Sequence, residues 1–495
     1  MKIVMVSSEA VPFCKTGGLA DVVGGLARAL DQAGHEVTVI LPLYRQITPS
    51  QFSGEPTGRA VSVLMGRNSV QAWIRKARLP DSRVSVLLID EPGFFDRPGL
   101  YVHPGGGDYA DNPERFLFLS RSALEVCTAF ELKPNIVHAH DWQTAVIPAL
   151  LDVQYRQRPG FQRTGSVLTL HNMAFQGNFG KATYELTGLP WDLFRWDQLE
   201  FWGNFNLLKA GCVYADRITT VSPTYAREIT TPAFGWGLEG VLKHRGTDLV
   251  GILNGIDAEE WNPASDRRIP CRYDSHTVEQ GKANCKRELQ KQLGLRGEAD
   301  TPLCGMISRM TDQKGFDLIA ATVDGLLSTS AQFVFLGGGE ARFEAVVKAL
   351  AERAPDRVAA HIGYSEDLAH QIEAASDIFL MPSRFEPCGL NQMYSLRYGT
   401  VPLVHAVGGL ADSVTNLTHD NLAAGNANGF VFYDYSPDAF LGTLRWGLEM
   451  YEDKLVWKQL QRNGMNLDLS WASSAEQYVE VYRHAIGRHV VGHVR

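Results

Sequence analysis

A chain of 495 residues is longer than one ordinary hydrophobic core supports and predicts two or three domains. Apolar residues make up 45% and charged residues 21%, a balance that excludes disordered, collagen-like and coiled-coil classes. The formal net charge of −8 argues against nucleic acid or an anionic membrane as the main partner, while leaving a locally basic cleft open.

In chain order, KIVMVSS at the N-terminus is a short buried strand, followed by a loop with a glycine pair. Leu19, Val22, Val23, Leu26 and Leu30 then recur at helical spacing, Gly34 sits where a helix ends, and EVTVILP begins the next strand. RVSVLLID, NIVHAH, SVLTLHN and RITTVS are further strands, with helical patterns such as NPERFLFLSRSALEVCTAF between them. The alternation predicts a mostly parallel, doubly wound α/β sheet. After LVGILNGID comes the aperiodic stretch PASDRRIPCRYDS, then a charged helix near GKANCKRELQKQLGL. A second series follows: PLCGMIS, QFVFLGG, RVAAHIG, DIFLMPS and VPLVHAV. The expected organisation is therefore a domain over 1–250, a second over 251–465, and a final amphipathic helix within 466–495. Open α/β sheets bind ligands beyond the carboxyl ends of their strands, so two such domains facing a cleft would point every strand-end loop into it.

The seven cysteines (Cys14, Cys127, Cys212, Cys271, Cys285, Cys304, Cys388) are irregularly spaced without a CxxC, which fits reduced thiols. The first apolar run is too short for a signal segment, and no stretch approaches the ~18 apolar residues of a membrane helix. A cytoplasmic protein with no membrane partner is expected.

Polar chemistry concentrates in the loops after strands. In the first, Lys15 precedes Gly17 and Gly18, where a bare backbone admits a ligand and the following helix start favours an anion; a plain tight turn is the alternative. His138-Ala139-His140-Asp141-Trp142 ends NIVHAH, and His171-Asn172 ends the next strand. Asp141 there reads as a ligand for sugar hydroxyls, whereas His138 reads as a buried, satisfied histidine. Arg309 and Lys314 in one loop after PLCGMIS can converge on a diphosphate, with a solvated charged loop as the bland reading. After DIFLMPS, Pro387 and Gly389 force a turn that would aim the amides of Gly389, Leu390 and Asn391 outward, with Glu386 at the mouth to hold hydroxyls or steady a cationic sugar ring. Gly337-Gly338-Gly339-Glu340 either approaches a ligand or simply turns. His484, His489 and His493 fit a solvated helix end better than a metal site. No DxD, HExxH or GxxxxGK[ST] occurs, which removes the usual metal-diphosphate, zincin and P-loop devices.

KTGGLADV, HAHDW, LHN, ILNGID, SRMTDQKG and SRFEPCGLNQMYSLRYG, in that order up to about residue 480, resemble the bacterial glycogen synthase and plant starch synthase family. The resemblance implies a GT-B type fold: two Rossmann-like parallel-sheet domains, the N-terminal one on the acceptor side and the C-terminal one holding the nucleotide sugar. It implies a last helix that returns to the N-terminal domain. It further implies retaining transfer of glucose from ADP-glucose to the non-reducing end of an α-1,4-glucan, with no metal or cofactor. Carried across, Lys15 contacts the donor and Gly17 and Gly18 lie near its diphosphate. Asp141 and His171, with Asn172 beside it, approach the glucosyl unit, and Asn254 lies near the donor. Arg309 and Lys314 neutralise the leaving diphosphate, Tyr364 sits by the adenine, and Glu386 with the amides after Cys388 holds the transferred glucose. Many retaining relatives carry a second Glu eight residues after the first, where this chain has Tyr394. The rival readings are a related transferase with another sugar nucleotide or a small acceptor, a NAD-dependent oxidoreductase lacking its glycine signature, and a non-catalytic sugar-binding protein.

Overall fold

The computed structural model describes residues 1–47 and 52–490; His493 lies outside the described residues. The chain forms two compact α/β units, one of Met1–Gly255 with Trp471–Arg495 and one of Ile256–Ser470. The final helix therefore belongs to the first unit although the second unit precedes it in sequence.

The first unit carries β1 (Lys2–Val6), β2 (Glu36–Pro42), β3 (Glu55–Met65), β4 (Asn68–Arg78), β5 (Ser85–Asp90), β6 (Ile136–His140) and β7 (Gly165–Leu170). After the short β8 (Asn178–Phe179), β9 (Glu200–Phe201) and β10 (Asn204–Asn206) come β11 (Arg217–Thr220) and β12 (Leu249–Gly251). Nine of these make one sheet in the order β12-β11-β7-β6-β1-β2-β5-β4-β3, while β8, β10 and β9 form a small antiparallel sheet. Pairing is parallel from β12 across to β5. The hairpin β3–β4 then joins antiparallel at the edge, an element the alternating-segment reading does not contain. Its outward residues are mostly exposed and polar, so it lacks the continuous apolar run that marks a buried parallel strand.

In the first unit, the helix Gly18–Gln32 and the helix Trp471–Val490 share one core, in which Leu19, Val23, Leu26, Tyr478, Val481 and Tyr482 are buried together. Gly34, at φ +86°, ends the first helix, with its amide bonded to the Asp31 carbonyl. Gly25 has a different reason: a Cβ there would lie 2.1 Å from Nε1 of Trp471. Far from being a solvated end, the terminal helix is tied down by His489 Nε2 to Asp216 Oδ2 at 2.8 Å and by Arg488 to Asp248. The solvated reading of His489 is thereby corrected, because burial of Asp216 demands a partner.

The second unit carries β13 (Leu303–Ile307), β14 (Gln332–Gly337), β15 (Val358–Ile362), β16 (Ile378–Met381), β17 (Val401–His405) and β18 (Phe430–Phe432). All are parallel, in the order β15-β14-β13-β16-β17-β18. Along β14, Phe333 and Phe335 enter one core while Val334 and Leu336 enter the other, the period-two signature of a strand covered on both faces. Strand order reverses between β13 and β16, and in the first unit between β1 and β6. At such points flanking helices lie on opposite faces and leave the carboxyl ends uncovered. Among the described residues no helix is long and apolar enough to cross a membrane.

Replacing Gly25 by Leu should displace the Trp471 indole and cost about 1–3 kcal/mol of stability through overpacking. Urea unfolding of the full chain would show a lower midpoint; an unchanged midpoint would mean that the helix does not dock as described.

Candidate functional site

The loops leaving β13 and β16 enclose a cavity of about 210 Å³ lined by, among others, Ser308, Arg309, Lys314, Ser383, Glu386 and Asn391. Glu386 is 6% exposed, and its Oε2 accepts from Lys314 Nζ at 2.5 Å and from Ser383 Oγ at 3.0 Å. The carboxylate and the ammonium thus hold each other in place at the cavity wall. Arg309 lines the same cavity, exposed, and among the described residues no ion pair or side-chain hydrogen bond engages its guanidinium. One cation is internally neutralised, and among the described residues the other has no side-chain partner.

Three glycines allow the loops to meet this closely. Gly315 takes φ +81° and its Cβ would lie 2.1 Å from the Pro382 carbonyl oxygen; Gly408 takes φ +42° and its Cβ would lie 2.0 Å from that of Glu386. In the Gly337–Gly339 run, a Cβ on Gly337 would meet the Ser308 carbonyl at 1.8 Å, so this glycine serves contact between loops. Gly389, at φ +73°, and Leu390 line the cavity at the start of the helix Asn391–Arg397, which no side chain caps. Asn391 Nδ2 donates to the Ile307 carbonyl at 2.7 Å and ties that helix to the end of β13. Cys388 is buried behind the lining, its carbonyl accepting from Gln392 Nε2 at 3.0 Å. Tyr364 does not line the cavity. It stands 78% exposed on the loop after β15, whose Gly363 amide bonds to the Gly337 carbonyl at 2.9 Å.

In the first unit the corresponding loops follow β1, β6 and β7. Lys15 pairs with Asp21 at 2.9 Å, both partly exposed, a surface pair that a ligand can displace. Gly17 and Gly18 have no positive φ, and a Cβ at either would meet no atom within 4 Å, so the protein's own packing does not require glycine there. Glu9, which motif reading passes over, organises this loop: buried at 2% exposure, it accepts from the Thr16 hydroxyl at 2.6 Å, the Gly17 amide at 3.4 Å and the Tyr101 hydroxyl.

Asp141 adopts φ +55°, and its Oδ1 accepts from the His171 amide at 2.7 Å. Burial raises its pKa to about 7, against the opposing pull of the His171 and Asn172 amides. His140 Nδ1 faces His171 Nε2 at 3.1 Å, and burial lowers the His171 pKa to about 3, so the ring stays neutral. His138 is fully paired, to Tyr482 at 2.9 Å and Thr169 at 2.6 Å, as expected of a structural histidine. Asn254 is 6% exposed, and among the described residues its buried Oδ1 has no partner.

A second cluster in the second unit escapes motif reading altogether. The Trp261 indole is stacked between the His370 ring (3.8 Å, 12°) and the Tyr394 ring (3.8 Å, 8°). His370 Nδ1 pairs with Asp266 Oδ2 at 2.8 Å, and the Tyr398 hydroxyl donates to the same oxygen at 2.6 Å. Burial alone would lower the His370 pKa, but the hydrogen bonds to Asp266 and Glu366 prevail and raise it to about 9. Glu260, Glu366 and His370 place possible ligand atoms within 4.8 Å of one another. A proton on His370 and the Arg268–Glu260 pair at 2.8 Å make this cluster a charge network. Tyr394 is thus committed to packing the helix that begins at the cavity.

Residues 2–244 match the family model of the starch synthase catalytic domain, and residues 287–463 match that of glycosyl transferases group 1. The chain is 48% identical over 484 residues to a glycogen synthase of Anaeromyxobacter sp. (strain Fw109-5), covering 98% of this chain and 99% of that one. It is 43% identical to glycogen synthase 2 of Geobacter sulfurreducens, with the same coverage. Among solved structures it superposes on the catalytic domain of starch synthase IV from Arabidopsis thaliana, bound to ADP and acarbose, with a TM-score of 0.89 at 34% identity, covering 98% of this chain and 99% of that one. A sucrose-phosphate synthase from Thermosynechococcus elongatus, covering 98% and 99% of the two chains with a TM-score of 0.58 at 16% identity, shares the fold alone.

Two outcomes follow from the titrating groups. His370 has a folded pKa above its ordinary 6.5, so its contribution to stability is complete below pH 6.5 and is lost as pH rises through about 9. Urea midpoints should fall across that window, and His370→Gln should flatten the slope. Asp141→Asn keeps an acceptor for the His171 amide while removing a charge whose burial is unfavourable at pH 8. Its unfolding midpoint should not drop at that pH, even if turnover does.

Proposed function

Because this chain belongs to the glycogen and starch synthase family of glycosyltransferases, we propose that it transfers glucose from ADP-glucose to the non-reducing end of an α-1,4-glucan with retention at the anomeric carbon. The single observation that carries the reading is the cavity between β13 and β16, with Glu386 and Lys314 locked together beside the uncommitted Arg309. In the proposed roles, the second unit binds the nucleotide sugar and the first unit serves the acceptor side.

Breaking the glucose–phosphate bond builds positive charge on the sugar ring and negative charge on ADP. Arg309, Lys314 and Lys15 would stabilise the ADP side, with the amides of Gly389, Leu390 and Asn391 as further donors. The open space at Gly17 and Gly18 supports a diphosphate approaching the backbone there. Glu386 is assigned to the transferred glucose. A phosphate drawing Lys314 away would free the carboxylate for hydroxyls or a cationic ring. Asp141, His171 and Asn172 would bind glucosyl hydroxyls, with neutral His171 able to accept or donate. Asn254, with its unpaired buried oxygen, and Tyr364, exposed for stacking on adenine, complete the donor contacts. Cys388 supports the turn from behind.

Retaining hydrolases use two carboxylates ≈ 5 Å apart. No second carboxylate lines this cavity among the described residues. The acceptor 4-hydroxyl is assigned a same-face attack: the C1–phosphate bond breaks, the C1–O4 bond forms, and the proton of O4 passes to the departing phosphate. No metal or cofactor enters the scheme.

Glucosyl incorporation into glycogen, measured with ADP-glucose and with UDP-glucose in the presence of EDTA, tests the proposal. Transfer from ADP-glucose is expected; failure with both donors by a folded protein would overturn it. Glu386→Gln and Lys314→Gln should each lose roughly 10²–10³ in kcat, as removal of one aimed group at a developing charge does. Near-normal turnover in either would remove that residue from the site.

A further inference from the structure

The charge network around Trp261 contains an imidazole set up as a ligand. The fully buried His370 ring lies flat against the Trp261 indole at 3.8 Å, and its Nδ1 is paired with Asp266 Oδ2 at 2.8 Å. Asp266 is fixed in turn by the Tyr398 hydroxyl at 2.6 Å and by the Arg268 amide at 2.8 Å. One face and one nitrogen of the ring are thus committed, and its orientation is set. A carboxylate on one ring nitrogen is the usual outer partner of a metal-bound histidine: it keeps a proton on that nitrogen and turns the lone pair of the other outward.

The other nitrogen is poorly served. His370 Nε2 is buried too, and its contact to Glu366 Oε1 is a long one at 3.6 Å; among the described residues no partner stands closer. A buried ring nitrogen in that state is costly unless something takes it up. Glu366 and His370 lie four residues apart on the helix Glu366–Ala375, so both side chains leave one face of it. Glu260 adds a carboxylate from the segment that carries Trp261, and the three ligand atoms lie within 4.8 Å of one another. Tetrahedral zinc with ligands at about 2.0–2.1 Å would draw such atoms to roughly 3.4 Å. Closing the gap needs rotation of two partly exposed glutamates, while the histidine need not move. Arg268 stands beside the cluster, paired with Glu260 at 2.8 Å and with Asp367 at 3.3 Å. Both pairs are partly exposed and individually weak, so Arg268 can cede Glu260 and keep Asp367. Two carboxylates and a neutral imidazole then balance a divalent charge, and the proton that His370 carries in the metal-free network is released on ligation.

We propose that Glu260, Glu366 and His370 bind one divalent transition-metal ion of the zinc type, with water as the fourth ligand, as a clamp between the segment carrying Trp261 and the head of the helix Glu366–Ala375. Imidazole joined with carboxylates suits zinc and its neighbours, whereas so few oxygen donors are a poor match for calcium or magnesium. The helix begins two residues after Tyr364, so the bound ion would also steady the loop that presents that ring. The ion takes no part in glucosyl transfer, so activity in EDTA bears on the donor and acceptor reading alone.

The test is equilibrium dialysis of the full chain, stripped with EDTA and returned to buffer, against Zn2+. One ion per chain is expected, with a Tm that rises as Zn2+ is added, because the ion binds the folded state. Glu260→Gln and Glu366→Gln alter partly exposed side chains and should fold as the parent does; each should weaken Zn2+ binding by about tenfold or more and blunt the rise in Tm. His484→Gln, which removes an exposed histidine of the last helix, should bind as the parent does. Mg2+ in large excess should leave the bound Zn2+ in place. A folded parent that retains no Zn2+ would overturn the site. So would parental binding in both glutamate variants, or binding that disappears with His484.

Discussion

The pairing of β13 with β16, Cys304 beside Ile378 and Gly305 beside Phe379, brings together two loops that are far apart in sequence. The segment leading into β16 also packs closely over β13: a Cβ on Gly305 would lie 2.4 Å from the Ser376 hydroxyl. Because strand order reverses there, helices leave on opposite faces and nothing of the sheet covers the two carboxyl ends. Lys314 comes from one loop and Glu386 from the other, and neither could be held as it is without this adjacency. The same constraint operates in the first unit, where the loops after β1 and β6 leave neighbouring strands.

Buried carboxylates are the recurring device, and each is held differently. Glu386 is held by an ammonium and a hydroxyl, which a substrate anion can contest. Glu9 is held by backbone and hydroxyl donors of its own loop and by the Tyr101 hydroxyl, so its effect is to shape the Lys15–Gly18 turn. Asp141 receives the His171 amide but remains uncomfortable enough to titrate near neutrality. Asp266 is settled fully by His370 and Tyr398 and serves to stiffen the scaffold. Partner type thus separates carboxylates that a ligand can recruit from carboxylates committed to the scaffold.

Aromatic side chains divide in the same way. Trp261 is consumed by stacking between His370 and Tyr394, which braces the helix starting at the cavity. Trp202 and Trp236 stack on nothing comparable among the described residues and project from strained turns. The same residue type is spent on rigidity in one unit and is left in solvent in the other.

The sequence alone determined the α/β class, most of the parallel strands between KIVMVSS and VPLVHAV, and the loops that carry polar residues, because apolar periodicity and turn residues are local signals. Arg309, Lys314 and Glu386 were legible as site candidates for that reason. Tertiary structure alone decided which loops became neighbours. Lys314 and Glu386 lie 72 residues apart, and no periodicity announces their 2.5 Å contact. His138 meets Tyr482 across 344 residues, and His489 turns out to be half-buried against Asp216. The edge hairpin β3–β4 was missed because half-exposed antiparallel strands lack a continuous apolar run. The Trp261 stack and the pKa of Asp141 were out of reach because stacking and desolvation depend on what surrounds a group in space, and strand order, which sets those surroundings, is a property of the packed whole.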